Sequence, residues 1–384
     1  AVRALENFSL SPRYEIIFLI FGASKQFNLL INVIKILYNL FLSFQVCDKI
    51  FTRGQRMKTA VINDDKIIIK QADDIKLDGR KGAIVKVLGC GLCGSDIVKF
   101  VHKIAKNGTV LGHEIVAQIV DINSETNFKV GDEIVTSHHI PCGECVYCKH
   151  GNVSMCKHFK STNIRPGGFS EFVYLSEEHL QNVAHIKPEN LTDIEASFYE
   201  PLGCIVRAVK RANLLEGDEA LVVGLGSIGI LTAQALKAYG AKVTGCDLIP
   251  ERVEFLKSLG IDAVDVRTLS EEHKFDGIFM TSGADKAIDT ALKYVRNGGK
   301  ILVFSSTPHD ESAYPNNEIY YRELTVMGSY SPSPADLKDS LELLKTGKVV
   351  VKGLSTAYKL DDIEKAFEDT MANRIMKAYI SVSS

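Results

Sequence analysis

Long uninterrupted apolar runs are missing from this chain of 384 residues. Two apolar stretches lie near its start, Ile16–Phe21 and Leu29–Phe44, the second broken by Asn32, Lys35 and Asn39. Neither reaches the roughly 20 consecutive apolar residues that a membrane span requires. A secretory leader is not evident either, because residues 1–15 mix Arg3 and Arg13 with Glu6 and Glu15 instead of forming a basic start. Strongly basic stretches are absent, and the net charge is −2. Nucleic acid and anionic membrane are thereby excluded as expected partners of residues 57–384. No internal repeat and no low-complexity tract appears. The composition is not that of a disulfide scaffold: nine cysteines serve a long chain, and four of them crowd into residues 142–156. What remains is an ordinary globular balance, 46% hydrophobic and 24% charged, enough for two domains.

Residues 1–56 stand apart. They hold seven of the 18 phenylalanines and three acidic residues against seven Lys/Arg, a net of +4 that leaves −6 for residues 57–384. They contain no methionine, and Met57 opens a strand-like run that reads as a natural start. The segment is read as upstream sequence or an artefact, as an amphipathic extension packing on a partner or membrane surface, or as an anchor. It is set outside the fold argument.

From Met57 to about Glu200, short β-branched runs separated by turn residues predict a compact β domain: Lys66–Lys70, Ala83–Leu88, Ile115–Val120, Glu133–Val135 and Phe172–Leu175. Beyond Pro201 the pattern becomes strand–helix alternation. Ala220–Val223 precedes a helix over Ile228–Tyr239, and Lys242–Cys246 precedes another over Glu251–Leu259. Such alternation predicts a doubly wound parallel sheet of the α/β class. The last strand-like run, Lys377–Val382, is expected to return to the first domain.

Gly224-Leu225-Gly226-Ser227-Ile228-Gly229 fits the dinucleotide fingerprint in its required setting, after an apolar strand and at the start of a helix. The first glycine permits the turn, the second lets the backbone approach a pyrophosphate, and the third allows close helix–strand packing. The helix N-terminus, opened by Ser227 and Ile228, offers free N–H groups to the phosphates. Asp247 ends the next strand, 18 residues after Gly229. A carboxylate there accepts from both ribose hydroxyls of NAD and repels the 2′-phosphate of NADP. Arg252, five residues on, is the residue that could accommodate a phosphate instead.

Cys142, Cys145, Cys148 and Cys156 supply four soft ligands on one short loop. Zn²⁺ takes four thiolates tetrahedrally, and such a closed site is structural. Cys93, His113 in Gly112-His113-Glu114, and Glu200 at the domain junction add one thiolate, one imidazole and one carboxylate. Together they leave a fourth position open, the form of a catalytic zinc site.

These motifs, Gly91-x-Cys93-Gly94-Ser95-Asp96, Gly112-His113-Glu114, Val130-Gly131-Asp132, the four-cysteine loop and the glycine fingerprint, follow the order of the zinc-dependent medium-chain alcohol dehydrogenases. Over about residues 57–384 the chain resembles that family, and Glu200-Pro201-Leu202 resembles its polyol (sorbitol-type) and threonine dehydrogenase branch. The resemblance implies a GroES-like catalytic domain at 57–204, a Rossmann domain at 205–328, and a segment 329–384 returning to the first. It implies Cys93, His113 and Glu200 as catalytic zinc ligands, and Glu114 as a nearby carboxylate that ligates directly or holds a water. Ser95 would begin a proton relay, and Asp96 would orient His113. Phe169, Tyr199 and Tyr330 are implied as pocket residues. Two departures stand out. Val98 occupies the place of a relay histidine, and Gly328-Ser329-Tyr330-Ser331 lacks the arginine of some polyol dehydrogenases.

The expected activity is hydride transfer between NAD and a secondary alcohol of polyol or sugar type, giving the ketone. The alternatives are a threonine or amino-alcohol dehydrogenase, and a zinc- and NAD-binding protein without turnover. A small-molecule alcohol or ketone is the expected partner. The resemblance suggests a dimer or tetramer, and thiolate ligands that must stay reduced suggest the cytoplasm.

Overall fold

The computed structural model describes residues 56–283, 287–305 and 315–382. The expectation for residues 1–56 therefore lies, Arg56 aside, outside the described residues. The chain opens with an antiparallel hairpin, β1 (Arg56–Asn63) and β2 (Lys66–Asp73). A seven-stranded sheet follows, centred on β3 (Gly82–Gly91) and β4 (Glu114–Asn123). Beyond β4 lie β5 (Glu133–Thr136) and β7 (Ala184–Ile186), while β6 (Phe172–Ser176) pairs with β3. Ala83, Val85 and Val87 of β3 are fully buried in the core of this sheet, and Ile84, on the opposite face, is buried as well. Each large one contributes about 1.5–3 kcal/mol by leaving water.

The second sheet is parallel throughout. Its strands are β8 (Glu219–Val223), β9 (Lys242–Asp247), β10 (Asp262–Asp265), β11 (Phe275–Met280), β12 (Val295–Val303) and β13 (Thr325–Gly328). The spatial order β10-β9-β8-β11-β12-β13 reverses direction between β8 and β11. That switch point is where an open α/β sheet offers a ligand crevice, beyond the carboxyl ends of its strands. The expected class, a doubly wound sheet beside a β-rich domain, is what the chain forms.

The labelled helices are α1 (Gly94–Val101), α2 (Tyr199–Ala212), α3 (Ser227–Ala238) and α4 (Pro250–Ser258), with α5 (Pro334–Lys345) near the end. Helix α2 buries Leu202, Ile205, Val206 and Val209 in one core with Val116 and Val135 of the first sheet and Ala220 and Val222 of the second. It therefore joins the two sheets, and the expected division between residues 204 and 205 falls inside it. Helix α5 packs on α2: Ser340 Oγ donates to Tyr199 O at 2.8 Å, and a Cβ on Gly203 would meet Leu337 at 2.8 Å. The C-terminal strands β14 (Thr356–Lys359) and β15 (Ala378–Ser381) rejoin the first sheet, β15 lying between β14 and β3.

Candidate active site and metal centres

Asp96 organises the first site. It lies in the first turn of α1, and Cys93 is the N-cap residue. Asp96 Oδ2 accepts from Cys93 N at 3.2 Å, while Oδ1 accepts from Gly112 N at 3.4 Å and faces His113 Nδ1 at 3.4 Å. One fully buried carboxylate thus ties both ends of the Cys93…His113 constellation. Holding Nδ1 leaves the other ring nitrogen of His113 for a metal. Burial works against the charged forms of both groups. Their mutual attraction still holds Asp96 below its ordinary range and His113 well above its own, with the Cys93 thiol also favouring the imidazolium. Ser95 N donates to Cys93 Sγ at 3.4 Å, which fixes the sulfur at the helix N-terminus.

Register brings the third group. Gly91 of β3 pairs with Glu114 of β4, and a Cβ on Gly91 would lie 2.0 Å from Glu114 Oε2. Ligand atoms of Cys93, His113 and Glu114 all lie within 4.8 Å of one another. Neither carboxylate oxygen of Glu114 receives a hydrogen bond, although both are buried. Lys377 Nζ stands 2.6 Å from Oε2 as an ion pair outside hydrogen-bonding geometry, and it donates to Leu92 O at 3.2 Å. A half-buried thiol, a buried imidazole and a buried unsatisfied carboxylate in one cluster fit a zinc ion with one position open. Glu200, expected as the third ligand, is not part of this three-atom group. It is buried on α2 and its Oε1 accepts from Cys204 Sγ at 3.6 Å. Burial raises its carboxyl above the usual range, and the Glu114 charge adds to the rise.

The four-cysteine loop forms the second centre. Cys142, Cys145, Cys148 and Cys156 have their sulfurs within 4.8 Å of one another. The measured edges are 4.0 Å for Cys142–Cys148, 3.6 Å for Cys145–Cys148 and 3.5 Å for Cys142–Cys156. A tetrahedron with Zn–S bonds of about 2.3 Å has edges of about 3.8 Å, so the loop fits zinc.

At the switch point, the glycines divide their work. Gly224 has φ +96°, the left-handed turn. A Cβ on Gly226 would meet nothing within 4 Å, and one on Gly229 would lie 1.8 Å from Gly224 O. The middle glycine thus opens onto free space, the cradle a pyrophosphate needs, and α3 begins at Ser227 with Ile228 in its first turn. Asp247 Oδ2 accepts from Leu225 N at 2.6 Å and Oδ1 from Ile249 N at 2.9 Å, which stations the carboxylate at the crevice. Arg252 Nη1 lies 3.6 Å from Asp247 Oδ2 and Nη2 donates to Asn373 Oδ1 at 3.4 Å. Its charge faces Asp247 and is not held free for a phosphate.

The pocket residues implied by resemblance scatter. Tyr199 is buried, with its hydroxyl donating to Val183 O at 2.9 Å, and Phe169 lies in the β-domain core, whereas Tyr330 is exposed. Two residues at the first site carried no signal in the sequence. Lys377 reaches Glu114 from the far end of the chain, and His138 lies against His113 with ring centroids 4.5 Å apart and the planes tilted by 48°.

Two family models match: alcohol dehydrogenase GroES-like domain over residues 79–185 and zinc-binding dehydrogenase over residues 227–346. The chain is 31% identical over 321 residues to a sorbitol dehydrogenase of Halalkalibacterium halodurans, covering 79% of this chain and 92% of the relative. It is 30% identical over 322 residues to D-xylulose reductase A of Aspergillus oryzae, covering 78% and 88%. Among solved structures it is similar to 2R,3R-butanediol dehydrogenase from Bacillus subtilis, with 25% identity and a TM-score of 0.73 over 85% of this chain and 100% of that one. Sheets, clusters and relatives together define a zinc-dependent dehydrogenase, and the chain belongs to the polyol branch of the zinc-dependent medium-chain alcohol dehydrogenases. It is an NAD-dependent oxidoreductase acting on CH–OH donors. Among the described residues, no helix is long and apolar enough to cross a membrane.

Proposed function

We propose that this chain interconverts a secondary hydroxyl of a polyol or sugar-type alcohol and the matching ketone, with NAD as hydride carrier. The observation that carries this reading is the Cys93–His113–Glu114 cluster, with His113 and Glu114 buried and a carboxylate that lacks a donor, in a protein that also holds a separate four-sulfur tetrahedron. Cys93 and His113 hold the catalytic zinc with a carboxylate, for which Glu114 is placed better than Glu200. When bound, zinc supplies Lewis-acid stabilisation of the alkoxide. Asp96 fixes the His113 ring, Lys377 balances Glu114, and Ser95 takes the hydroxyl proton toward solvent. Val98 cannot accept it, so the relay continues through water or the cofactor ribose. Gly224, Gly226, Ser227, Ile228 and Gly229 bind the pyrophosphate. Asp247 selects the unphosphorylated ribose, and Arg252, paired with it, supports that choice. NAD supplies the hydride acceptor when bound.

Residues 57–204 and 329–384 are assigned to the catalytic domain and 205–328 to the Rossmann domain, with α2 as the shared element. Reduced thiolates favour the cytoplasm. The open edge of β13, next to exposed Tyr320 and Tyr321, favours a dimer or larger homo-oligomer. The test is zinc content with NADH production over a panel of polyols, inositols, threonine and simple secondary alcohols, for wild type, Cys93→Ala, Glu114→Gln and Glu200→Gln. Two zinc ions per chain are expected in wild type. One should remain in Cys93→Ala, with turnover down by at least about 10³-fold. Threonine as the preferred substrate would move the chain to the amino-alcohol reading. Normal zinc content and turnover in Cys93→Ala would refute the site.

A further inference from the structure

A row of four rings runs from the first metal centre to the second. His113, His138, His139 and Phe159 follow one another with centroids 4.5 Å, 3.9 Å and 4.7 Å apart and planes tilted by 48°, 44° and 42°. His113 belongs to the Cys93–His113–Glu114 cluster, and Phe159 comes three residues after Cys156 of the four-sulfur centre. His138 and Phe159 are buried, and His139 is half-buried. Hydrogen bonds pin the row from its flanks. His179 Nε2 donates to His138 O at 3.1 Å, and His139 Nδ1 donates to Thr162 O. Ile140 N donates to Thr162 Oγ1 at 2.9 Å, which in turn donates to Phe159 O at 3.0 Å. These contacts lie where the cysteine lobe begins and ends. Inside the lobe, sulfur takes the place of apolar packing: Val146, Tyr147 and Met155 are exposed, while Cys142 Sγ and Cys156 Sγ lie 3.5 Å apart. Cys142 comes three residues after His139, as Phe159 comes three after Cys156. Drawing those two sulfurs onto one metal therefore brings together the two segments that carry the outer rings. At the inner end, Asp96 faces Nδ1 of His113. A contact at one ring nitrogen leaves the ring free to tip about it, and a second ring against its face removes that freedom.

We propose that the four-sulfur centre positions the metal-binding histidine of the first centre. Closing the lobe presses Phe159, His139 and His138 in turn against His113, and so holds its imidazole in the orientation the first metal needs. Phe159, His139 and His138 are positioning residues that act through His113 and touch no metal themselves. This rests on the reading of both clusters as metal centres and adds the dependence of one on the other. Contacts that orient a ligand from behind typically carry about 10- to 100-fold in metal affinity.

The test measures zinc affinity at each centre of the full chain by competition with a chromophoric chelator, Cys93→Ala marking the share of the second centre. Co²⁺ placed in the first centre, with zinc kept in the second, reports ligand geometry through its visible spectrum. The variants are His139→Ala, His139→Phe, Cys148→Ser and the double variant Cys148→Ser/His139→Ala. His139→Ala should bind zinc at the first centre about 10-fold more weakly, with an altered Co²⁺ spectrum and the second centre still filled. His139→Phe keeps the ring and should recover most of the affinity and the spectrum. Cys148→Ser opens the four-sulfur centre and should weaken the first centre to a similar degree. The double variant should be little worse than either single one, because both break the same line of contacts. Unaltered affinity and spectrum in His139→Ala overturn the proposal. So does a His139→Phe protein as weak as His139→Ala, or a double variant whose losses multiply. If His139→Ala fails to fold, Phe159→Leu decides, since it removes the outermost ring and keeps an apolar side chain: weaker zinc with an altered spectrum supports the proposal, and no change overturns it. Wild type that binds a single metal ion, retained in Cys93→Ala, overturns the metal reading of the first centre together with the proposal, whereas two ions in wild type and no effect of the ring variants overturn the proposal alone.

Discussion

Glu114 and Lys377 are both buried, and each is the other's compensation. Taking two charges out of water is costly, and removing one partner of such a pair leaves the other uncompensated. Burial works against the Lys377 ammonium, yet Glu114, Cys93 and Glu200 hold its pKa above the ordinary value. A zinc ion in the cluster would supply positive charge to the same carboxylate. Lys377→Met should therefore destabilise the metal-free protein by about 3–5 kcal/mol and the zinc-loaded protein by less. Calorimetric unfolding with and without zinc measures the difference, and equal losses in both states would refute the shared-charge account. Cys93, His113 and Glu114 were each legible in the sequence, Cys93 and His113 as ligands with Glu200 as the expected third, and Glu114 as a nearby carboxylate that ligates directly or holds a water. Lys377 was not, because a lysine 263 residues after Glu114 carries no sign of which carboxylate it will face. His138 was hidden for a related reason: it adjoins His139 in a polar run, and nothing there says which ring turns inward.

Helix α2 is the element the sequence reading passed over, although Leu202, Ile205, Val206 and Val209 hold the i, i+3, i+4, i+7 spacing of a buried helical face. The reading treated Glu200-Pro201-Leu202 as a motif at a junction, and Pro201 obscured the helix even though proline is tolerated in a first turn. Further along α2, Arg207 clamps the cysteine lobe to the chain leaving the second sheet. Nη2 donates to Gly151 O at 2.6 Å, and Nη1 donates to Ser154 Oγ at 3.3 Å, Tyr330 O at 2.8 Å and Ser331 O at 2.9 Å. Arg207→Ala would leave these acceptors without a donor, at a cost of about 2–4 kcal/mol. It should also speed protease cleavage within residues 142–161, which limited proteolysis with mass spectrometry would locate. Cleavage unchanged from wild type would mean that the four sulfurs and their metal hold the lobe without help from α2.

At the scale of the whole molecule, the chain leaves the first sheet, builds the second, and comes back. Strand β15 is inserted between β14 and β3, with Leu92 N donating to Ala378 O at 2.9 Å and Val382 N to Leu88 O at 3.1 Å. This return closes the sheet that carries Gly91 and Glu114, and it delivers Lys377. Deleting residues 373–384 should therefore abolish the catalytic zinc and the cooperative unfolding of the first sheet. Zinc analysis and thermal melts followed by circular dichroism check this, and a truncated protein holding two zinc ions with one sharp transition would overturn it.

Local chemistry was written in the sequence. Four thiols at short spacing can meet without help from distant chain, and a glycine fingerprint between a strand and a helix specifies its own turn. Those features depend on covalent neighbours and backbone rules, so residue order alone determined them. Tertiary structure decided what depends on distance. It grouped Glu114, and not Glu200, with the ligand atoms of Cys93 and His113, because sheet register pairs Glu114 with Gly91, two residues before Cys93, while Glu200 is carried on a separate helix. It turned Arg252 onto Asp247, and it set His138 against His113. Each of these contacts joins segments that only packing brings together, and packing energy is a property of the assembled core, not of any one stretch of chain.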